Sequence, residues 1–407
     1  MRKTEKPLLV YLDSSDFSVM SDPKRVHEWD IERRGLERFV AQGDIHCVFS
    51  QAHIVELAPV ESTHADLAIG KVDLLVSLCG RLSLPSMDRL VTEELLALRE
   101  GRPRKFDVVN TEGDWFPAID GLFNSSRAKL VEEAAGSVIE GLQQNRALRR
   151  VAKKLVKNGA PSAKLQRQLS AAPSIDAARD LQRTYPMREA DARILARYLR
   201  GQAGKEEAHH AFTASLRDPR WLVRWLSSEG VDVSKFNGWL RDSSRRMQAV
   251  VEQLSAVART IRTLPPDQLA ALGPKTIAGK NAWDRLPDEL VAKLAQRMAD
   301  EWLPMPVAPL PLERLHETCA GLSVLLRTFY SAVWTSTTAQ PRAPLASDLG
   351  DCYHAMYAPY VDIFRPDSFM APHIERQTAT FGTEVVPKLK RLLPAIEKRL
   401  RDRIVMK

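Results

Sequence analysis

Five acidic residues stand where carboxylates could act together. In residues 347–367, SDLGDCYHAMYAPYVDIFRPD, a helix opens with Asp348 and Asp351, and the apolar run YVDIF leads to Asp367. At the other end of the chain the run LLVYL is followed at once by Asp13, and a second run, IHCVF, leads into SQAHIVELA and brings Glu56. Runs rich in β-branched and aromatic residues read as buried strands. Residues just past the C-terminal ends of such strands lie where open α/β sheets place their ligands. Acids delivered to one sheet edge cannot all ionise side by side without a counter-charge, and hard divalent cations with oxygen ligands are the usual supply. The expected centre is magnesium or manganese held by Asp13, Glu56, Asp351 and Asp367, the same four acting in catalysis. Asp348 shares nearly the same helix face as Asp351 and is expected to assist.

The matching chemistry is phosphodiester hydrolysis. Two metal ions about 3.5–4 Å apart can activate a water and stabilise the leaving oxygen, and magnesium keeps several waters, so three or four acids suffice. Ser14 and Ser50 could hydrogen-bond a metal-bound water and are taken, with Arg365, as substrate contacts. His354, three residues after Asp351, reads as packed beneath the pocket rather than as a ligand. Asp362, inside the strand, is a weaker candidate, and Glu93 and Glu94 read as structural.

In this order the residues resemble the PIN-domain nucleases. Members of that family begin with a strand ending in Asp, continue with a strand and helix carrying a Ser-to-Glu segment, and finish with an Asp-led helix, a strand and a last Asp. The matching positions are Asp13, Ser50 with Glu56, Asp351, and Asp367, and TEVVPKLKRLLPAIEKRL resembles the closing strand and helix. The likeness covers roughly residues 7–100 and 312–407. It implies a three-layer α/β/α domain around a central parallel sheet. One position departs: many members carry a small hydroxyl residue two positions before the last Asp, where this chain has Arg365, a guanidinium that could hold a substrate phosphate.

The elements that must position these acids follow from the pattern of the chain. Residues 1–100 alternate strands with helices, with Gly43-Asp44 and Gly80 at helix-to-strand junctions, and the last hundred residues resume that alternation. Such alternation predicts a parallel sheet. Between them, residues 123–310 show helical spacing almost throughout, broken at Gly and Pro clusters, and carry no convincing alternating strand. The chain therefore reads as an α/β domain in two halves, 1–100 and 312–407, split by an all-α basic insertion, 101–311.

With 407 residues, 44% hydrophobic and 27% charged, the sequence has the composition of an ordinary globular protein and excludes large-scale disorder. It holds no apolar run long enough to span a bilayer. Four widely spaced cysteines without a C-x-x-C pair argue against zinc and for reduced thiols in the cytoplasm. The net charge of +8 is uneven: residues 101–310 carry 34 basic and 24 acidic side chains, and residues 146–200 alone carry 14 and 4. Such an excess is the footprint of a phosphate-binding surface. In the insertion, RWLVRW sets Trp221 and Trp225 on one helix face, where two core tryptophans are a better account than nucleobase stacking.

Together these readings give a cytoplasmic Mg2+- or Mn2+-dependent nuclease. The resemblance favours RNA over DNA and a role as a growth-arresting toxin or phage-defence effector. A protein partner or inhibitor is expected on the helical insertion. The alternative is a PIN-like scaffold without turnover that binds nucleic acid or protein.

Overall fold

The two terminal regions of the chain meet in one sheet. The run Leu8–Tyr11 forms β1, and Ile45–Val48 forms β2 beside it, with Leu8 opposite Ile45 and Tyr11 opposite Val48. In this computed structural model the described residues are 6–57, 65–102, 108–119, 156–157, 160–161, 174–228, 231, 260, 263–271, 277–303, 310–311, 314–338 and 346–405. They fall into two units, Met1–Pro117 with Leu240–Lys407, and Ala118–Trp239.

In the first unit, β1 is followed by α1 (Ser14–Ser21), a 3-10 turn (Val26–Trp29) and α2 (Asp30–Gln42). α2 ends at Gly43, whose φ of 72° is the left-handed conformation that favours glycine after a helix. Beyond β2 come α3 (Gln51–Leu57), α4 (Ala65–Cys79) and α5 (Met87–Arg99). The later part supplies α6 (Ile277–Trp302), α7 (Ala320–Thr338), α8 (Ala346–Ala355), β3 (Ile363–Phe364), α9 (Ala371–Thr378), β4 (Glu384–Val385) and α10 (Leu392–Val405). The strands form one parallel sheet in the order β2-β1-β3-β4. The fold is thus α/β, and every strand of this sheet ends on the same edge.

Two buried features join the regions. Val10 and Tyr11 pair with Ile363 and Phe364, and the Leu9 N–H donates to Asp362 Oδ2 at 2.7 Å, which gives Asp362 a structural role, shared with Arg403 at 3.0 Å. Glu94 of α5 is fully buried and accepts from the Gly321 and Leu322 N–H groups at 2.6 and 3.1 Å and from the Tyr360 hydroxyl. A carboxylate at the start of α7 satisfies two orphan donors of the helix and suits its dipole.

One hydrophobic core contains Tyr11, Val48, Leu90 and Leu95 together with Leu325, Phe329, Met356 and Phe364. It also contains Val291, Ala295, Met298 and Ala299, one face of α6 at helical spacing. The sequence pattern sets residues 101–311 apart as one insertion. α6 instead buries its apolar face in the sheet-bearing unit, because that stripe finds its partners on α5 and α7.

The second unit shows helices Ser174–Thr184, Glu189–Leu199, Lys205–Leu216 and Pro219–Leu226, the last capped by Asp218. It also holds a short antiparallel ladder, Val156–Lys157 with Ala160–Pro161, where the sequence suggested helices alone. Trp225 is buried and its indole N–H donates to Gln182 O, while that of Trp221 donates to Pro186 O at 3.0 Å. Both tryptophans are tied into the helical framework. Of the basic stretch 146–200, residues 146–155, 158–159 and 162–173 lie outside the described residues. Among the described residues no helix is long and apolar enough to cross a membrane.

Candidate functional site

Asp13 follows β1 after the single residue Leu12 and caps α1. Its Oδ1 accepts from the Ser15 N–H at 2.7 Å, while Asp16 Oδ2 accepts from the Asp13 N–H at 3.1 Å, a reciprocal capping box. Asp13 is therefore fixed at the positive end of a helix, where its charge is favoured. Asp16 has no exposed surface, and its Oδ1 lies 2.8 Å from Arg365 Nη2. Burial pushes the Asp16 carboxyl up to about 7 against the pull of Arg365.

Arg365 follows β3 and has a side chain only 12% exposed. Its Nη2 is committed to Asp16 and its Nη1 donates to Pro366 O at 3.0 Å. The role expected of it, a hand on the substrate phosphate, is corrected to that of a buried counter-ion to Asp16. Two residues on, Asp367 accepts from the Met370 N–H at 2.7 Å and so caps the turn into α9.

Glu56, on α3, meets His354, on α8: His354 Nε2 donates to Glu56 Oε2 at 3.0 Å and lies 3.3 Å from Ser14 Oγ. The other ring nitrogen, Nδ1, is 2.7 Å from the Tyr11 hydroxyl, which is also 2.7 Å from Ser50 Oγ. A fixed chain, Glu56–His354–Tyr11–Ser50, thus runs from the sheet edge into the core. Burial opposes ionisation of Glu56, but the charge and hydrogen bond of His354 and the bond from Ser14 outweigh it and draw the carboxyl down to about 2. Burial likewise opposes a charged His354, yet Glu56, Asp13 and Asp351 raise its pKa above the ordinary histidine value. At pH values below the ordinary histidine value the pair is therefore carboxylate and imidazolium.

His53, 4.8 Å from His354 ring to ring, differs. Its Nδ1 accepts from the Ser50 N–H at 3.1 Å and its Nε2 donates to Leu12 O at 2.8 Å, so both nitrogens are satisfied in the neutral form. Burial and the neighbouring His354 lower its pKa to about 3. Ser50 is fully buried within this network, so its expected contact with substrate is corrected to a structural bond.

Asp351 is half-buried on α8, where burial first, then Asp367 and Asp13, push its carboxyl up to about 8. Its shift registers Asp367, Asp13 and Glu56 together, so these four acids share one electrostatic neighbourhood. α8 can approach so closely because position 350 is glycine: a Cβ there would stand 2.7 Å from Glu56 Oε1. The Asp348 side chain lies outside the described residues.

The carboxylate oxygens suit a hard cation, since the one opposing charge acting on Asp351, that of His354, does not offset burial and the neighbouring acids. Among the described residues, however, no three His, Cys, Asp or Glu side chains are grouped to hold a metal ion directly. An ion here would rest on one or two carboxylates and its own waters, the habit of magnesium. Tyr11, Asp16 and Gly350 were not singled out from the sequence. Of these, Asp16 had a signal, the Asp-x-x-Asp spacing of a capping box. Comparison with known protein families, curated proteins and solved structures finds no match for the chain.

Proposed function

We propose that this chain is a divalent-metal-dependent nuclease of PIN-like type, acting on RNA in preference to DNA. The observation that carries the reading is geometric: Asp13 and Asp367 lie just past the C-terminal ends of the neighbouring parallel strands β1 and β3, and Gly350 lets α8 bring Asp351 up beside Glu56 of α3. Such a cluster keeps unfavourable like charges together unless a cation neutralises them. Magnesium or manganese would be held by Asp13, Asp351 and Asp367 and, when bound, would supply a nucleophilic hydroxide and charge stabilisation at the leaving oxygen. Glu56, oriented by His354, adds negative charge at the rim, and Asp16 with Arg365 keeps Asp13 in place. A growth-arresting toxin or defence effector is the role we favour.

A second reading, a PIN-like scaffold that binds without turnover, draws on the His354–Glu56 pair, which already gives one acid its counter-charge. One experiment separates the two. The purified protein is incubated with labelled single-stranded RNA, single-stranded DNA and duplexes, with Mn2+ or with EDTA. Manganese-dependent cleavage that disappears in Asp13→Asn supports the nuclease. Intact strands under every condition leave the scaffold.

A further inference from the structure

The acidic site has a basic neighbour on the same edge of the sheet. β4 lies next to β3 and parallel to it, with Val385 opposite Phe364. The chain leaving β4 therefore emerges beside the chain that leaves β3 for Asp367, about 4.8 Å away at strand spacing. A hydrogen bond from Ser368 Oγ to Pro387 O, 3.0 Å, ties the two exits together. Immediately after Pro387 come Lys388, Lys390 and Arg391, all exposed, the last two in a 3-10 turn (Leu389–Arg391) whose Leu389 is buried as its anchor. Among the described residues none of the three forms an ion pair. By contrast Arg399 and Arg403, further along the same segment, pair with Glu384 and Asp362. Lys390 Nζ stands 5.6 Å from the centre of the Trp29 ring, a cation–π contact that positions its ammonium.

We infer that Lys388, Lys390 and Arg391 form a rail for the phosphate backbone of a nucleic-acid strand, beside the chain that leaves β3 for Asp367. The inference rests on the nuclease reading and deepens it. Three exposed cations on a pinned turn, without a carboxylate partner among the described residues, attract a polyanion. Carboxylates beside them would repel the same polymer unless neutralised. The division of labour follows: the basic turn holds phosphates flanking the one at the acids, so that a strand crosses the sheet edge from β4 toward β1. The contacts go to phosphate and carry no base preference.

The test is fluorescence anisotropy with a labelled 20-nucleotide single-stranded RNA in EDTA, where cleavage is absent, across a KCl series. On single strands each neutralised phosphate contributes about 0.7 to the slope of log K against log salt. The triple variant Lys388→Ala/Lys390→Ala/Arg391→Ala is expected to lower that slope by about 2 and to weaken binding about tenfold or more at low salt. Lys388→Gln, a single exposed change, should lower the slope by about 0.7 and guards against a folding defect in the triple variant. An unchanged slope and affinity in both variants, or no RNA binding by the wild type, would overturn the rail. Its failure is separable from that of the nuclease reading: a protein that binds through these residues but never cleaves with Mn2+ keeps the rail and loses the nuclease. Cleavage with an unaltered triple variant does the reverse.

Discussion

His354 Nε2 lies 3.0 Å from Glu56 Oε2, joining residues 298 positions apart in the chain. Helices α3 and α8 are locked together at the rim of the site by this bond. The two shifts define its pH range. Glu56 is drawn down to about 2, so its contribution is present above the ordinary glutamate value and is lost as pH falls through 2. His354 is raised, so its contribution is present below the ordinary histidine value and is lost as pH rises through the raised one. The pair is complete between about pH 4.5 and 6.5. Glu56→Gln should cost about 1–2 kcal/mol there, a hydrogen bond to a charged group reduced by solvent screening because the Glu56 side chain is 36% exposed, and less on either side. Urea denaturation at several pH values measures it; a cost independent of pH would contradict the charged pair.

Asp351 makes the opposite prediction. Its carboxyl binds a proton more tightly folded than unfolded, so across about pH 4 to 8 the folded state holds the extra proton and stability falls as pH rises. Asp351→Asn should therefore stabilise the metal-free protein at pH 8 by about 1–3 kcal/mol and do little at pH 4. Divalent cation should raise the Tm of the wild type at pH 8 more than at pH 5, and that of Asp351→Asn much less. Differential scanning fluorimetry with Mn2+ and with EDTA reads all three, and an equal response of variant and wild type to Mn2+ would remove Asp351 from the ligand set.

Gly350 shows how a backbone position can set a carboxylate. A Cβ at 350 would meet only the tip of the Glu56 side chain, at 2.7 Å from Oε1, and that tip can swing away cheaply. Gly350→Ala should thus leave stability within about 1 kcal/mol, helped by the better helix propensity of alanine, yet displace Glu56 from His354. The expected signature is a loss of Mn2+-dependent cleavage of about tenfold or more at unchanged Tm. Full activity with an unchanged histidine NMR titration would show that Glu56 has room to spare.

The acids at the strand ends were legible because a strand followed by Asp is a local pattern: Asp13 after Leu8–Tyr11 and Asp367 after Ile363–Phe364 both stand where the spacing put them. The parallel sheet was legible from alternation for the same reason. What escaped was anything decided by a partner far away in sequence. Tyr11 reads as one more strand residue until His354 and Ser50 are brought to its hydroxyl. Arg365 reads as a phosphate ligand until Asp16 is seen buried beneath it. α6 reads as one of the basic helices because its periodicity announces an apolar face without saying which core receives it.

The Asp16–Arg365 pair allows a prediction about asymmetry. A buried pair broken on one side leaves the other charge without compensation, at about 3–5 kcal/mol. The two partners can respond differently. Arg365 cannot lose its proton, so Asp16→Asn leaves a guanidinium facing a neutral amide and weakens the cap on Asp13; because the Asp16 carboxyl is raised to about 7, the charge part of that loss should appear above about pH 7 and fade below it, where Asp16 is already protonated. Asp16 is already raised to about 7 with Arg365 present, so in Arg365→Met it takes up a proton and becomes neutral. The loss in Arg365→Met should therefore be smaller. It should also shrink as pH falls, since a carboxyl raised in the folded state stabilises that state on the acid side. Tm values for both variants from pH 5 to 9 decide the matter: parallel curves of equal depth would mean that Asp16 remains ionised without its partner, and that the pair contributes by packing rather than by charge.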